Sequence, residues 1–310
     1  MNTLTRWICC LILQFIFCSW GFYMHKRINE TATFLLPTEM VVFYKKHINS
    51  ITEKATDADK RCYIDTLEGP RHYIDLDKFD EVDSIPIHWT KAKEKYSERK
   101  LLAQGVIPWQ IYRTYQNLVQ AFKEKNQNRI IQYTADLGHY VADAHVPLHT
   151  TSNYNGQFTN QIGIHAFWET RLPEMFAKDY DHFVGAAQYI DDPLNKAWEI
   201  VKESNQMVDS VLAIEKKLAQ TFKESEIRSY IQRNNQLIYT YSDNYAIAYH
   251  NALNGMVERR FRNSIRIVAS MWYSAWIDAG QPKLNNLNQQ TEIEVIPYQD
   301  KKTLGREEWH

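Results

Sequence analysis

The stretch from His139 to Glu169 constrains the fold of this chain more than any other. It reads H-Y-V-A-D-A-H-V-P-L-H, then the turn-rich N-Y-N-G-Q, then G-I-H-A-F-W-E. His139 and Asp143 are four residues apart, and so are His165 and Glu169. On a helix that step leaves both side chains of a pair on one face, about 40° apart. Imidazole with carboxylate is the donor set that suits zinc where no thiolate is offered. His149 follows Pro147, and a proline there ends the first helix and turns His149 back toward the first pair. A single His/acid pair at this spacing is common decoration of a helix surface. Two pairs flanking a third histidine, with Gly156 and Gly163 in the connection, point instead to a metal centre.

Most of the remaining chain has helical periodicity. His25 to Leu36 is amphipathic and stops at Pro37, and Thr38-Glu39 opens a second helix to about Asn49. From Thr52 to about Pro86 the chain is polar and turn-rich and reads as irregular. Pro108 begins a helix to about Lys125. Another runs from about Asn128 to Ala144, with Ile130, Thr134, Leu137, Val141 and Ala144 on its buried stripe. Beyond Glu169, Trp198, Val201, Val208, Val211, Leu212, Leu218 and Phe222 form one apolar stripe, and Val257 to Trp276 another. Aromatic stripes at this spacing read as core. Arg259, Arg260, Arg262 and Arg266 read as a solvated or salt-bridged face. His47, His182 and His250 have no ligand partner at helical spacing and read as structural or surface residues. No repeat and no hairpin is expected, so the prediction is one all-α, multi-helix domain over 20–280, followed by a polar tail over 281–310.

Charge weighs against one class of function. Lys and Arg total 36 against 37 Asp and Glu, with no basic or acidic tail, whereas tight nonspecific binding to duplex DNA needs many phosphate contacts. At the N-terminus, Arg6 precedes an apolar run over 7–18 that is short for a bilayer span and reads as a secretion signal over 1–19. The rival readings are an uncleaved anchor and a lipoprotein signal using Cys18, which the bulky Phe15, Ile16 and Phe17 oppose. Cleavage near Ser19/Trp20 would place the protein in the periplasm or outside the cell. Cys9, Cys10 and Cys18 lie in that run, so Cys62 alone remains. One thiol makes neither an internal disulfide nor a thiolate zinc site.

Ahead of the central stretch lie Trp20, then His25, then Asp57-Ala58-Asp59-Lys60, then Arg71-His72-Tyr73-Ile74-Asp75. Joined in this order to H-x-x-x-D-x-x-x-P-L-H and H-x-x-x-E, these elements resemble the superfamily of zinc-dependent phospholipases C and single-strand-specific nucleases. The resemblance implies a trinuclear zinc site. Asp57, His72, His139 and Asp143 would hold one ion. Asp143 would bridge to a second, completed by His25 and by the α-amino and carbonyl groups of Trp20. His149, His165 and Glu169 would hold the third. Asp57 is chosen over Asp59 and Asp65 for the D-x-D-K pattern and a 15-residue step to His72. Asp57 and Asp143 are the carboxylates closest to the expected chemistry, in which a zinc pair activates water and the third ion stabilises phosphate and leaving group.

The choice of phosphodiester is divided. P-L-H and the short step from Trp20 to His25 lean toward the nuclease branch. Glu169, D-A-D-K and the missing disulfides lean toward the phospholipase branch, which is preferred. Tyr73 could stack on a base, although an aromatic residue after that histidine fits both branches, and Asp75, Asn153, Tyr154 and Asn155 could line the pocket. Asn153, Tyr154 and Asn155 read equally well as turn residues. A third alternative is a non-enzymatic helical binding protein with structural zinc, disfavoured because three protein ligands on the third ion leave an open position. No stable protein partner is indicated, and membrane contact is expected only through the substrate.

Overall fold

The computed structural model describes residues 22–233, 236–285 and 287–288. The expected signal, Trp20 and most of the polar tail lie outside these. The elements that build the site are α1 (Phe22–Ala32), α2 (Asp57–Arg61), α3 (Ile107–Lys123), α4 (Gln127–Ala144) and α5 (Ile164–Ala166). Behind and beside them stand α6 (Pro193–Gln206), α7 (Val208–Ala219), α8 (Asp243–Ala252) and α9 (Met256–Asp278). Among the described residues no helix is long and apolar enough to cross a membrane.

The centre of the fold is α4. Asn126 caps its start, accepting a hydrogen bond from the Arg129 amide at 3.1 Å. The expected stripe is present, but it widens: every residue from Thr134 to Ala144 is buried. A helix enclosed all round needs neighbours on every face. They include α3, packed along it after a tight turn, α1, α6, α9, the helix Ile48–Lys54 and the turn Pro147–Thr150. The helix stops because Pro147 has no amide hydrogen, and the Val146 amide closes back on the Asp143 carbonyl at 2.9 Å. That stop places His149 three residues into the following turn.

Three expectations are corrected. Residues 52–86 are not wholly irregular: α2 forms within them, followed by short 3₁₀ turns at Gly69–Arg71, Leu76–Lys78 and Val82–Ser84. The chain also contains an antiparallel hairpin, β1 (Arg228–Arg233) paired with β2 (Gln236–Tyr241), where none was expected. Finally, Arg260 is salt-bridged, as one of its two expected readings had it, but from inside the fold and not on a solvated face. It is buried, donating from Nε to the His145 carbonyl at 3.0 Å and pairing with Glu203 at 2.9 Å. It thereby fixes the chain just past α4. Arg262 does pair at the surface, with Asp181.

Candidate metal centre

Four overlapping groups of ligand atoms meet between α1, α2, α4, the Pro147 turn and α5. In the first, His139 Nε2 lies 3.0 Å from His72 Nδ1, 3.2 Å from Asp143 Oδ2 and 3.4 Å from Asp59 Oδ1. His72 Nδ1 is 2.9 Å from the same Asp143 oxygen. The other Asp143 oxygen is 3.3 Å from His25 Nε2, so this carboxylate faces two groups at once. Glu169 does the same. Its Oε1 is 3.6 Å from His25 Nε2, while its Oε2 is 2.8 Å from His165 Nε2 and 3.2 Å from His149 Nε2. The sequence offered Asp143 as the only bridge, and the second shared carboxylate is a finding of the structure.

The donor set fits a cation. A backbone carbonyl can only accept, so His139 Nδ1, 2.8 Å from the Ala55 carbonyl, carries a proton, as does His149 Nδ1, 2.6 Å from the His72 carbonyl. In the neutral rings each inward Nε2 is then a lone pair pointing at carboxylate oxygens. Acceptors crowded together and shielded from water need positive charge among them. Without metal that charge comes from protons. Burial alone would lower His25, but Asp143 and Glu169 beside it raise it to about 9. Burial alone would raise Asp143, yet His139, His149 and His25 hold its carboxyl well below the usual range. Glu169 is depressed in the same way, burial being outweighed by His149, His165 and His25.

Asp57, picked by spacing, is not in this cluster. Its carboxylate pairs at the surface with Lys60 at 3.0 Å and Lys54 at 3.6 Å. Asp59, half a helical turn on, faces His139 and His72 in its place. Tyr73 is fully buried and packs against Gly105, whose positive φ of 86° admits the close approach, so its ring does not reach the pocket. Asp75 is buried in the next turn, its amide bonded to the Gln104 carbonyl at 2.7 Å. Asn153 accepts from the Phe158 amide at 2.8 Å and donates to Thr159. Asn155 accepts from the Gly163 amide at 2.9 Å. Both asparagines hold the loop that delivers His165, which is what turn residues do. Trp20 lies outside the described residues. His25 Nδ1, on the side of the ring away from Asp143, is buried with no hydrogen-bond partner among them.

One further group backs the cluster from behind His72. Glu68, fully buried, has Oε1 3.6 Å from the outward Nε2 of His72, and its carboxylate also takes up Arg61, Arg71 and the Tyr140 hydroxyl. Burial would raise Glu68, but His72 and the two guanidiniums drive it far below the ordinary carboxylate range. A sequence signal existed: Glu68 and His72 are four apart, the same step as the two recognised pairs, in reverse order.

A family model for zinc-dependent phospholipase C matches residues 24–231, which include every described residue of the cluster. The chain therefore belongs to the zinc-dependent phospholipase C family, whose members hydrolyse phosphodiesters. No curated protein matches the chain.

Proposed function

We propose that the protein is a phospholipase C that cleaves the phosphodiester of a phospholipid using three zinc ions. The observation that carries this is the pair of shared carboxylates. Asp143 and Glu169 join the ligand groups into one continuous cluster rather than separate structural cages. In this reading Asp59, His72, His139 and Asp143 hold the first ion. His25, Asp143 and Trp20 hold the second, with Glu169 beside them, and His149, His165 and Glu169 hold the third. When bound, zinc supplies the positive charge that acidifies a water and neutralises phosphate oxygens.

The chain's own residues do the rest. The Ala55 and His72 carbonyls lock the His139 and His149 rings in the tautomer that turns Nε2 inward. Asp59 is the most exposed member of the first group and is placed to take a proton from an attacking water. His165, its side chain 19% exposed, marks the open side through which a phosphate enters. Gly163, at φ 95°, makes the turn that brings it there. The nuclease alternative is weakened because Tyr73, the aromatic offered for base stacking, lies inside the core. Export after removal of residues 1–19 is part of the same proposal.

The test is elemental analysis of protein purified without chelator, with turnover on phosphatidylcholine, single-stranded DNA and RNA. About three zinc ions per chain and cleavage of phosphatidylcholine are expected. A reproducible value near one zinc at full activity would remove the trinuclear reading. Cleavage of single-stranded DNA with none of lipid would make the protein a nuclease.

A further inference from the structure

The β1–β2 hairpin is fixed at its root to the loop that delivers His165 and is bare beyond it. At the root, the Arg228 guanidinium donates to the Ile162 carbonyl and lies over the Tyr241 ring at 4.4 Å. Tyr241 stacks on Phe167 with ring centroids 3.8 Å apart. Both contacts grip the Gly163 turn, two residues before His165. In a strand alternate residues share a face, so Tyr239 and Leu237 continue the face of Tyr241, opposite Tyr230 and Gln232. With a rise of about 3.3 Å per residue, this face runs on for about 13 Å past Tyr241. Tyr230, Leu237 and Tyr239 on it are each more than half exposed, and the two tyrosine rings pair at 5.2 Å. Phe158 and Ile162, from the loop that delivers His165, are also more than half exposed. A two-stranded ribbon with an uncovered apolar face is marginal in water by itself.

We propose that this face is a docking surface for a phospholipid bilayer, which seats the opening beside His165 on its substrate. The inference rests on the phospholipase reading and adds a contact made by the protein itself, beyond the bound substrate molecule. Three observations select a bilayer over other occupants. Residues 228–241 contain no carboxylate, and Lys78 sits 5.8 Å from the Phe158 ring, so the exposed apolar side chains carry no negative charge of their own to repel a layer of phosphates. Tyrosine, with an apolar ring and a polar tip, is the side chain favoured at the headgroup boundary. The face also begins at the side of the cluster where His165 is open. Single-stranded nucleic acid fits less well, because Arg228 is already committed to Ile162 and Tyr241.

The test compares the zinc-loaded wild type with the triple variant Tyr230→Ser, Leu237→Ser, Tyr239→Ser, and with Phe158→Ser. Binding is measured by co-sedimentation with vesicles of a phosphonate analogue of phosphatidylcholine, in which a methylene replaces the scissile oxygen. Turnover is measured separately on short-chain phosphatidylcholine below its micellar concentration. The triple variant should lose at least tenfold in vesicle partitioning and in rate on long-chain vesicles, and Phe158→Ser a smaller factor. Both should cleave the monomeric substrate within twofold of wild type, which shows the hairpin root intact. Unchanged partitioning would overturn the proposal. So would a concentration-dependent dimer, or retention of single-stranded DNA, that the triple variant abolishes. Failure of wild type to cleave the monomeric lipid would instead count against the phospholipase reading, since vesicle binding is scored without turnover.

Discussion

Gly138→Ala tests how the two halves of the metal centre are brought together. Gly138 lies on α4 beside His139, and Asn29 lies on α1 one turn after His25. A Cβ at position 138 would stand 1.9 Å from Asn29 Oδ1 and 2.7 Å from its Cγ. Asn29 cannot simply swing away, because it is fully buried and donates from Nδ2 to the Ala135 carbonyl at 3.2 Å. The glycine is thus what lets α1 approach α4 until His25 and His139 stack at 4.0 Å between ring centroids. The substitution sets two effects against each other. Alanine improves an interior helix position by about 1 kcal/mol. Against this, overpacking costs about 1–3 kcal/mol, and stranding a buried amide about 1–3 more. The balance is a loss of about 1–5 kcal/mol in urea unfolding of the chelated protein. Zinc uptake at limiting free metal should fall too, as α1 carries His25 away from Asp143. In an Asn29→Ala background the clash is gone, and Gly138→Ala should become neutral or mildly stabilising, giving a large coupling in the double-mutant cycle. If Gly138→Ala alone stabilises the protein, the close approach of the helices is not what the glycine is for.

Three further outcomes follow from the site. Asp57→Asn breaks only a surface pair and should change stability by less than about 1 kcal/mol, with turnover within twofold, whereas Asp59→Asn should lose zinc and at least a hundredfold in rate; equal effects would show that the side chains are misassigned. Glu68→Gln should weaken zinc binding about 10–100-fold by loosening the outer hold on His72; unchanged affinity in a chelator competition would reduce Glu68 to a purely structural part. The last concerns pH in the metal-free protein. His25 is raised to about 9, so its proton adds stability that is complete below the unfolded value of about 6.5 and is lost as pH climbs toward 9. Melting temperature in chelator should therefore fall over that window, while the zinc-loaded protein, whose ligands lose protons to bind metal, should weaken toward acid pH. Parallel pH profiles for the two forms would contradict this.

The two His/acid pairs were legible because their geometry is local: a four-residue step on a helix fixes the relative direction of two side chains whatever surrounds them. Spacing to His72 selects Asp57, but helix phase is the informative quantity and selects Asp59. Residues 57 and 59 differ by about 200° around a helix axis. Ala55, Ala58 and Asp59 are buried, with Cys62 next on that face, while Asp57 and Lys60 turn outward. The small residues at 55, 58 and 62 mark the buried side, and Asp59 lies on it. The hairpin was equally open to reading, since two runs rich in tyrosine, isoleucine and leucine flank Asn234-Asn235. The strands are short, six residues each, and sit between two long helical stripes that dominate the local pattern.

The direction in which each ligand points was not legible, because it depends on residues far away in the chain. Ala55 orients His139 from 84 positions away, and the His72 carbonyl orients His149 from 77. Glu68 reaches behind His72, but it is placed by Arg61, Arg71 and Tyr140, and Arg61 in turn pairs with Asp136 on α4 at 3.1 Å. A buried carboxylate between two guanidiniums is costly in isolation and becomes tolerable only when every partner is present. This network therefore ties the loop carrying His72 to the helix carrying His139 and Asp143 in a single arrangement. The ligand types are written in short motifs, whereas their aim is set by a charged core that forms only when α2, α4 and the Glu68–His72 turn close on one another.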